Sequence, residues 1–173
     1  TLEGIDGAGK STQARLLAEA LGSETLLLRE PGGTPVGERL RELLKDGSLE
    51  LSPRAELLLF CAARAELVER VIRPAIDAGR DVVCDRFIDS TVAYQGGARG
   101  LDPEMVAELN AAAVAGCVPD RTVLLRVPVG EAVERADERG GPRASDRFER
   151  EGPVFQERIA AAFDAIAAAE PER

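Results

Sequence analysis

At 173 residues and a formal net charge of −9, the chain has the length of one domain, enough to bury a core, and its acidity argues against a nucleic-acid polymer as partner. With no histidine there is no imidazole base and no zinc site of the usual spacing, so chemistry must run on carboxylates, arginine, lysine and a hard metal. No apolar run approaches the ~20 residues of a membrane span, no charged-then-apolar leader opens the chain, and Cys61, Cys84 and Cys117 are scattered among apolar neighbours, so the expected setting is the reducing cytoplasm, with no membrane partner.

Taken in chain order, apolar runs at 1–5, 25–29, 81–84 and 122–129 read as strands, and 10–21, 36–45, 53–78, 103–115, 130–139 and 147–169 read as helices. That alternation predicts an α/β fold, a mainly parallel sheet covered by helices on both faces, in a single domain over 1–173. The short opening strand and the finish in an Ala-rich helix suggest missing flanking residues at both ends.

The first strand runs into GIDGAGKST, which contains the pattern G-x-x-x-x-G-K-[ST]. Gly4, Gly7 and Gly9 allow a tight turn with inward N–H groups, and the helix beginning near Lys10 adds its positive end. Lys10 is expected to reach the β- and γ-phosphates and Ser11 to meet Mg²⁺, with Ala8 and Thr12 completing the ATP loop. Asp6 is anomalous in an anion cradle. It must either point away from phosphate, as in an Asx turn, or read something other than phosphate.

Helix 53–78 carries Phe60 and Arg64 four residues apart and so on one face. The stretch ELLLFCAAR reads equally as an ordinary core helix with an arginine at its rim. The strand at 81–84 ends on Asp85 and Arg86; an acid there is placed to hold Mg²⁺ directly or through water, and Arg86 can clamp a phosphate. No NKxD element follows, and the only DxxG outside the loop is DERG in a helical context, which argues against a GTPase switch. Finally, ERADERGGPRASDRFE repeats arginine at 135, 139, 143 and 147, but Gly-Gly-Pro interrupts any continuous helix. A lid over about 135–150 is expected. All but two of the 22 basic residues, Lys10 and Lys45, are arginine, so position decides the role of each.

Together EGIDGAGKST, REPGGTPVGERLR, ELLLFCAAR, CDRFIDSTVAYQGGARG and the closing DRFE resemble the bacterial thymidylate kinase family, in the family's order over about residues 1–160. The resemblance implies a P-loop kinase fold and transfer of phosphate from MgATP to dTMP, giving dTDP and ADP. It implies that Asp6 accepts from the deoxyribose 3′-hydroxyl, Phe60 stacks on thymine, Arg64 bonds its carbonyl edge, Thr91 and Gln95 touch the base, and Tyr94 crowds C2′. Arg41 and Arg86 then meet the acceptor phosphate, and Glu30 stands at the pocket entrance near phosphate and metal. Because the loop carries Gly7 and Ala8 but no arginine, the transition-state cation is expected from the lid, among Arg139, Arg143 and Arg147, with Arg147 the first choice. A homodimer is also implied. The alternatives are a kinase for another deoxynucleotide or a nonenzymatic nucleotide-dependent switch; a closed pocket opposite the phosphate loop favours a kinase, and an open surface favours the switch.

Overall fold

The computed structural model describes residues 1–138 and 147–173. Four parallel strands, β1 (Leu2–Glu3), β2 (Leu26–Arg29), β3 (Val82–Asp85) and β4 (Val123–Leu124), lie in the order β2-β3-β1-β4 among the described residues. Parallel neighbours need crossovers. These are α1 (Lys10–Leu21), then α2 (Pro35–Lys45), α3 (Pro53–Leu67) and α4 (Arg73–Asp77), then α5 (Ile88–Thr91) and α6 (Pro103–Val114); α7 (Val129–Glu138) and α8 (Gly152–Ala169) follow β4.

Strand side chains alternate between two layers. Leu2 and Val83 pack on Ala14 and Ala18 of α1, while Leu28 and Cys84 pack with Leu67, Val68, Ile72 and Val114 on the other face. A sheet covered on both faces explains why its strands are mostly apolar, with Glu3, Arg29 and Asp85 at their carboxyl ends.

The strands are shorter than the sequence suggests. Gly4, at φ 138°, turns β1 out of the sheet, so the last bond of the β4 ladder is Leu125 N–H to the Glu3 carbonyl at 2.8 Å. Beyond it β1 has left the sheet, and Pro128 has no N–H to offer. The helix expected over 53–78 is likewise interrupted by a π turn at Val68–Ile72, just before Pro74, whose missing N–H breaks the regular ladder. The helix expected from 147 instead opens with a 3₁₀ turn at Glu149–Glu151, and α8 proper starts at Gly152, whose φ of 77° ends that turn.

One element escaped the sequence reading. Residues after Arg86 form α5 and continue as a π turn, Val92–Ala98, although Ser90, Thr91 and Val92 are indifferent helix formers and Gly96-Gly97 reads as a breaker. Tertiary contacts override that preference. Glu3 accepts from the Phe87 and Ser90 amides at 2.7 and 3.2 Å, satisfying donors at the start of the helix. Tyr94 and Ala98 then bury themselves against Phe155, Ile159 and Phe163 of α8. Gly97 permits this approach, because a Cβ there would lie 2.6 Å from that of Ala162.

Candidate active site

The carboxyl ends of β1 and β3 open into a cavity of about 420 Å³, the usual ligand position in an open parallel sheet. Helices α2, α3 and α6 are capped by Thr34, Ser52 and Asp102. By contrast, α1 starts after Gly9, at φ 90°, with no side-chain cap, so its first amides face the cavity mouth. Lys10 is buried and donates to the Ile5 carbonyl at 2.7 Å; burial foremost, with Arg86 next, lowers its pKa to about 8. Gly7, Gly9, Lys10, Ser11 and Thr12 line the cavity. Gly4 and Ala8 lie beneath them: a Cβ on Gly4 would stand 2.4 Å from the Leu125 carbonyl oxygen, and Ala8 packs on the cluster holding Ile5 and Ala132.

Across the loop, the Ser11 hydroxyl donates to Asp85 Oδ2 at 2.5 Å, while the buried Asp85 Oδ1 has no hydrogen-bond partner among the described residues. A buried carboxylate oxygen left unpaired costs free energy, and hard oxygen donors suit Mg²⁺. The pair therefore fits that ion. No cluster of three or more acidic, cysteine or histidine side chains capable of holding a metal occurs among the described residues.

Arg86 organises the opposite wall. Its φ of 72° is unusual for a non-glycine residue and aims the side chain back over β1. The guanidinium donates to the Gly4 carbonyl (3.1 Å), Ser90 Oγ (3.0 Å), Asp6 Oδ1 (2.6 Å) and the Tyr94 hydroxyl (3.0 Å), and lies 5.0 Å from the Tyr94 ring centroid. Tyr94 in turn donates to Asp6 Oδ2 at 3.0 Å. Burial pushes the Asp6 carboxyl up, but Arg86 and Lys10 together with these bonds win and hold it well below the usual carboxylate range. Asp6 thus faces Arg86 and Tyr94, with 43% of its side chain still exposed. Behind Arg86, Ser90 Oγ donates to Glu3 Oε2 at 2.6 Å, and burial raises the Glu3 pKa to about 7 despite its hydrogen bonds.

Arg41, Phe60, Thr91, Tyr94, Gln95 and Arg86 all line the cavity, as the resemblance expects. Two residues are placed differently from expectation. Arg64 is 1% exposed and every N–H it owns is engaged: Nε with Glu30, Nη1 with Thr91 and Asn110, Nη2 with Glu30 and the Phe87 carbonyl. It braces the wall from behind, with no donor left to turn toward a base. Glu30, expected at the entrance, is buried as the partner of Arg64 at 2.6 Å, though part of it still reaches the cavity.

The lid also differs from expectation. Arg147 does not line the cavity: its Nη2 lies 2.7 Å from Glu56, its Nε donates to the Leu44 carbonyl, and its amide donates to the Lys45 carbonyl. It fastens this segment to α2 and α3, and the neighbouring Phe148 reaches the cavity instead, 5.9 Å from Phe60 between ring centroids. Arg135 pairs with Glu131 on the exposed face of α7, and Arg139 and Arg143 lie outside the described residues. The sequence reading passed over Glu3, Ser90, Glu56, Arg99 and Phe148. A signal existed for the first and third, since an acid inside a buried strand or in the first turn of ELLLF needs a partner.

Loop, carboxylate and facing pocket in one cavity define a phosphate-loop kinase. Known proteins agree. The thymidylate kinase family profile matches residues 2–173. Proteins named thymidylate kinase from Rhizorhabdus wittichii and Gluconobacter oxydans are 53% and 52% identical over the whole chain, which covers 85% and 82% of their lengths. The crystal structure of thymidylate kinase from Ehrlichia chaffeensis superimposes with a TM-score of 0.80 at 36% identity, covering 99% of this chain and 81% of that one. The chain belongs to the thymidylate kinase family.

Proposed function

We propose that the cavity holds the γ-phosphate of MgATP against the phosphate of dTMP, so that the family's reaction, phosphorylation of dTMP to dTDP, releases ADP. The observation that carries this reading is a single cavity with Lys10, Ser11 and Asp85 on one side and Arg86, Phe60, Tyr94 and Gln95 on the other. The acceptor phosphate is already a nucleophile, so no strong base is required and alignment with charge neutralisation suffices. Lys10 and the α1 amides take the donor phosphates. Mg²⁺, when bound at Ser11 and Asp85, would neutralise charge on them. Arg86 and Arg41 hold the acceptor phosphate, Phe60 covers the base, and Asp6, half exposed beside Tyr94, accepts from the 3′-hydroxyl. Arg139 and Arg143 remain the lid cations of this reading. It includes a homodimer in the cytoplasm, supported by the family; no helix among the described residues is long and apolar enough to cross a membrane.

A coupled assay offering nucleoside monophosphates with MgATP tests the acceptor assignment. dTMP should turn over fastest, dUMP less well for want of a methyl contact worth about 1 to 3 kcal/mol, and ribonucleotides least because Tyr94 occupies the space of a 2′-hydroxyl. Equal rates across the panel would refute the pocket assignment.

A further inference from the structure

Gln95 lines the cavity yet is only 1% exposed, so one end of its amide at most can meet a ligand. The other end is fixed. Nε2 donates to Glu56 Oε1 at 2.7 Å, and Gln95 Oε1 accepts from no described residue. Glu56 sits in the first turn of α3, fully buried. Its Oε1 also accepts from Arg99 Nε, and its Oε2 accepts from Arg99 Nη2 and faces Arg147 Nη2. A carboxylate held between two guanidinium groups can only accept, so the amide nitrogen of Gln95 must turn toward it and the carbonyl oxygen must turn away, toward the cavity.

We infer that Glu56 is a specificity-determining positioning residue: it locks the Gln95 amide with its acceptor facing the ligand, and so selects a base that carries an N–H donor at position 3. Thymine and uracil carry that donor. Cytosine presents a ring-nitrogen lone pair at the same position, which an acceptor repels, and leaving the buried amide oxygen unpaired adds a further penalty. Neither Glu56 nor its arginines touch the substrate, and the effect passes entirely through Gln95. The inference rests on the reading above in which Gln95 meets the base.

The decisive variant is Glu56→Gln, which preserves volume but supplies only one acceptor. That acceptor goes to the two guanidinium groups, leaving an NH₂ toward Gln95, whose carbonyl then turns inward and whose NH₂ turns to the cavity. Preference should move toward cytosine. In a mixture of dTMP and dCMP with MgATP, the ratio of kcat/KM values, which does not depend on how much of the variant is folded, should fall at least tenfold in favour of dCMP. Adding Gln95→Met should erase the effect, so that the double variant matches Gln95→Met alone. If Glu56→Gln yields no active protein, Glu56→Asp, which shortens the reach, is read in the same way and should lower the ratio. A parental ratio in Glu56→Gln or Glu56→Asp, or an equal shift in the Gln95→Met background, overturns the inference. Failure of the underlying reading looks different: Gln95→Met would then keep the parental preference.

Discussion

The two sides of the cavity are built in opposite ways. The phosphate side is mostly local: Gly4 to Thr12 turn, point their amides and start a helix within a few residues, the Lys10 bond to Ile5 spans five positions, and Asp85, 74 positions from Ser11, is the distant member. The acceptor side is assembled from afar. Arg64 joins Glu30, Thr91, Phe87 and Asn110, Glu56 joins Gln95 and Arg99, and Glu3 joins Ser90, with separations from 23 to 87 residues. The phosphate side can therefore lose a side chain and stay folded, whereas each brace of the acceptor side joins elements far apart in the chain.

Arg64→Met should show the difference most strongly. It leaves Glu30 buried without its cation, a change that costs about 3 to 5 kcal/mol, so Tm should drop well outside the range of surface variants; an unchanged melt would mean that the wall is not held this way. Lys10→Met should do the reverse. Its buried charge contributes little to the fold, so Tm should hold while kcat falls about 10²- to 10³-fold, some 3 to 4 kcal/mol of barrier.

Glu3 sharpens the comparison through pH. Its folded pKa lies near 7 against an ordinary 4.5, because burial disfavours the charged form. The folded state therefore holds a proton that the unfolded state releases; the stability this contributes is complete below about pH 4.5 and is lost as pH rises through about 7, by at most about 3 kcal/mol. Glu3→Gln keeps an acceptor for the Phe87 and Ser90 amides and cannot ionise. Its stability relative to the parent should climb across that interval and level off above it, as read from urea melts at several pH values; a constant difference contradicts the assignment. The smallest effect belongs to Tyr94→Phe, which removes only the hydroxyl between Asp6 and Arg86, about 1 kcal/mol. KM for dTMP should rise several-fold with KM for ATP unmoved, and a change confined to ATP would place this hydroxyl on the wrong side of the cavity.

The same contrast explains what the sequence disclosed. Helix α1 was legible to the residue, and the strands to within a few residues, because glycine turns and apolar runs act over short range. The pocket residues Phe60, Thr91, Tyr94 and Gln95 were legible only through family resemblance. What no local pattern contains is the partner of a buried charge: ELLLFCAAR shows an arginine on a helix, but whether Arg64 looks into the cavity or behind it depends on Glu30 and Asn110, far away in the chain. The helix after Arg86 was missed for the same reason, being held by Glu3 and α8 against its own propensity. Arg147 read as a lid arginine because DRFE follows a Gly-Gly-Pro break, yet Glu56 claims it.

A Cβ on Gly7 would lie 2.2 Å from the carbonyl oxygen of Ala132 in α7. The helix backbone thus excludes a side chain from the loop: residue 7 can be larger than glycine only if α7 withdraws. An arginine grafted there would evict that helix. For this chain a steric veto keeps any side chain, arginine included, out of position 7, and a loop of another kind can be installed only by rebuilding α7 with it.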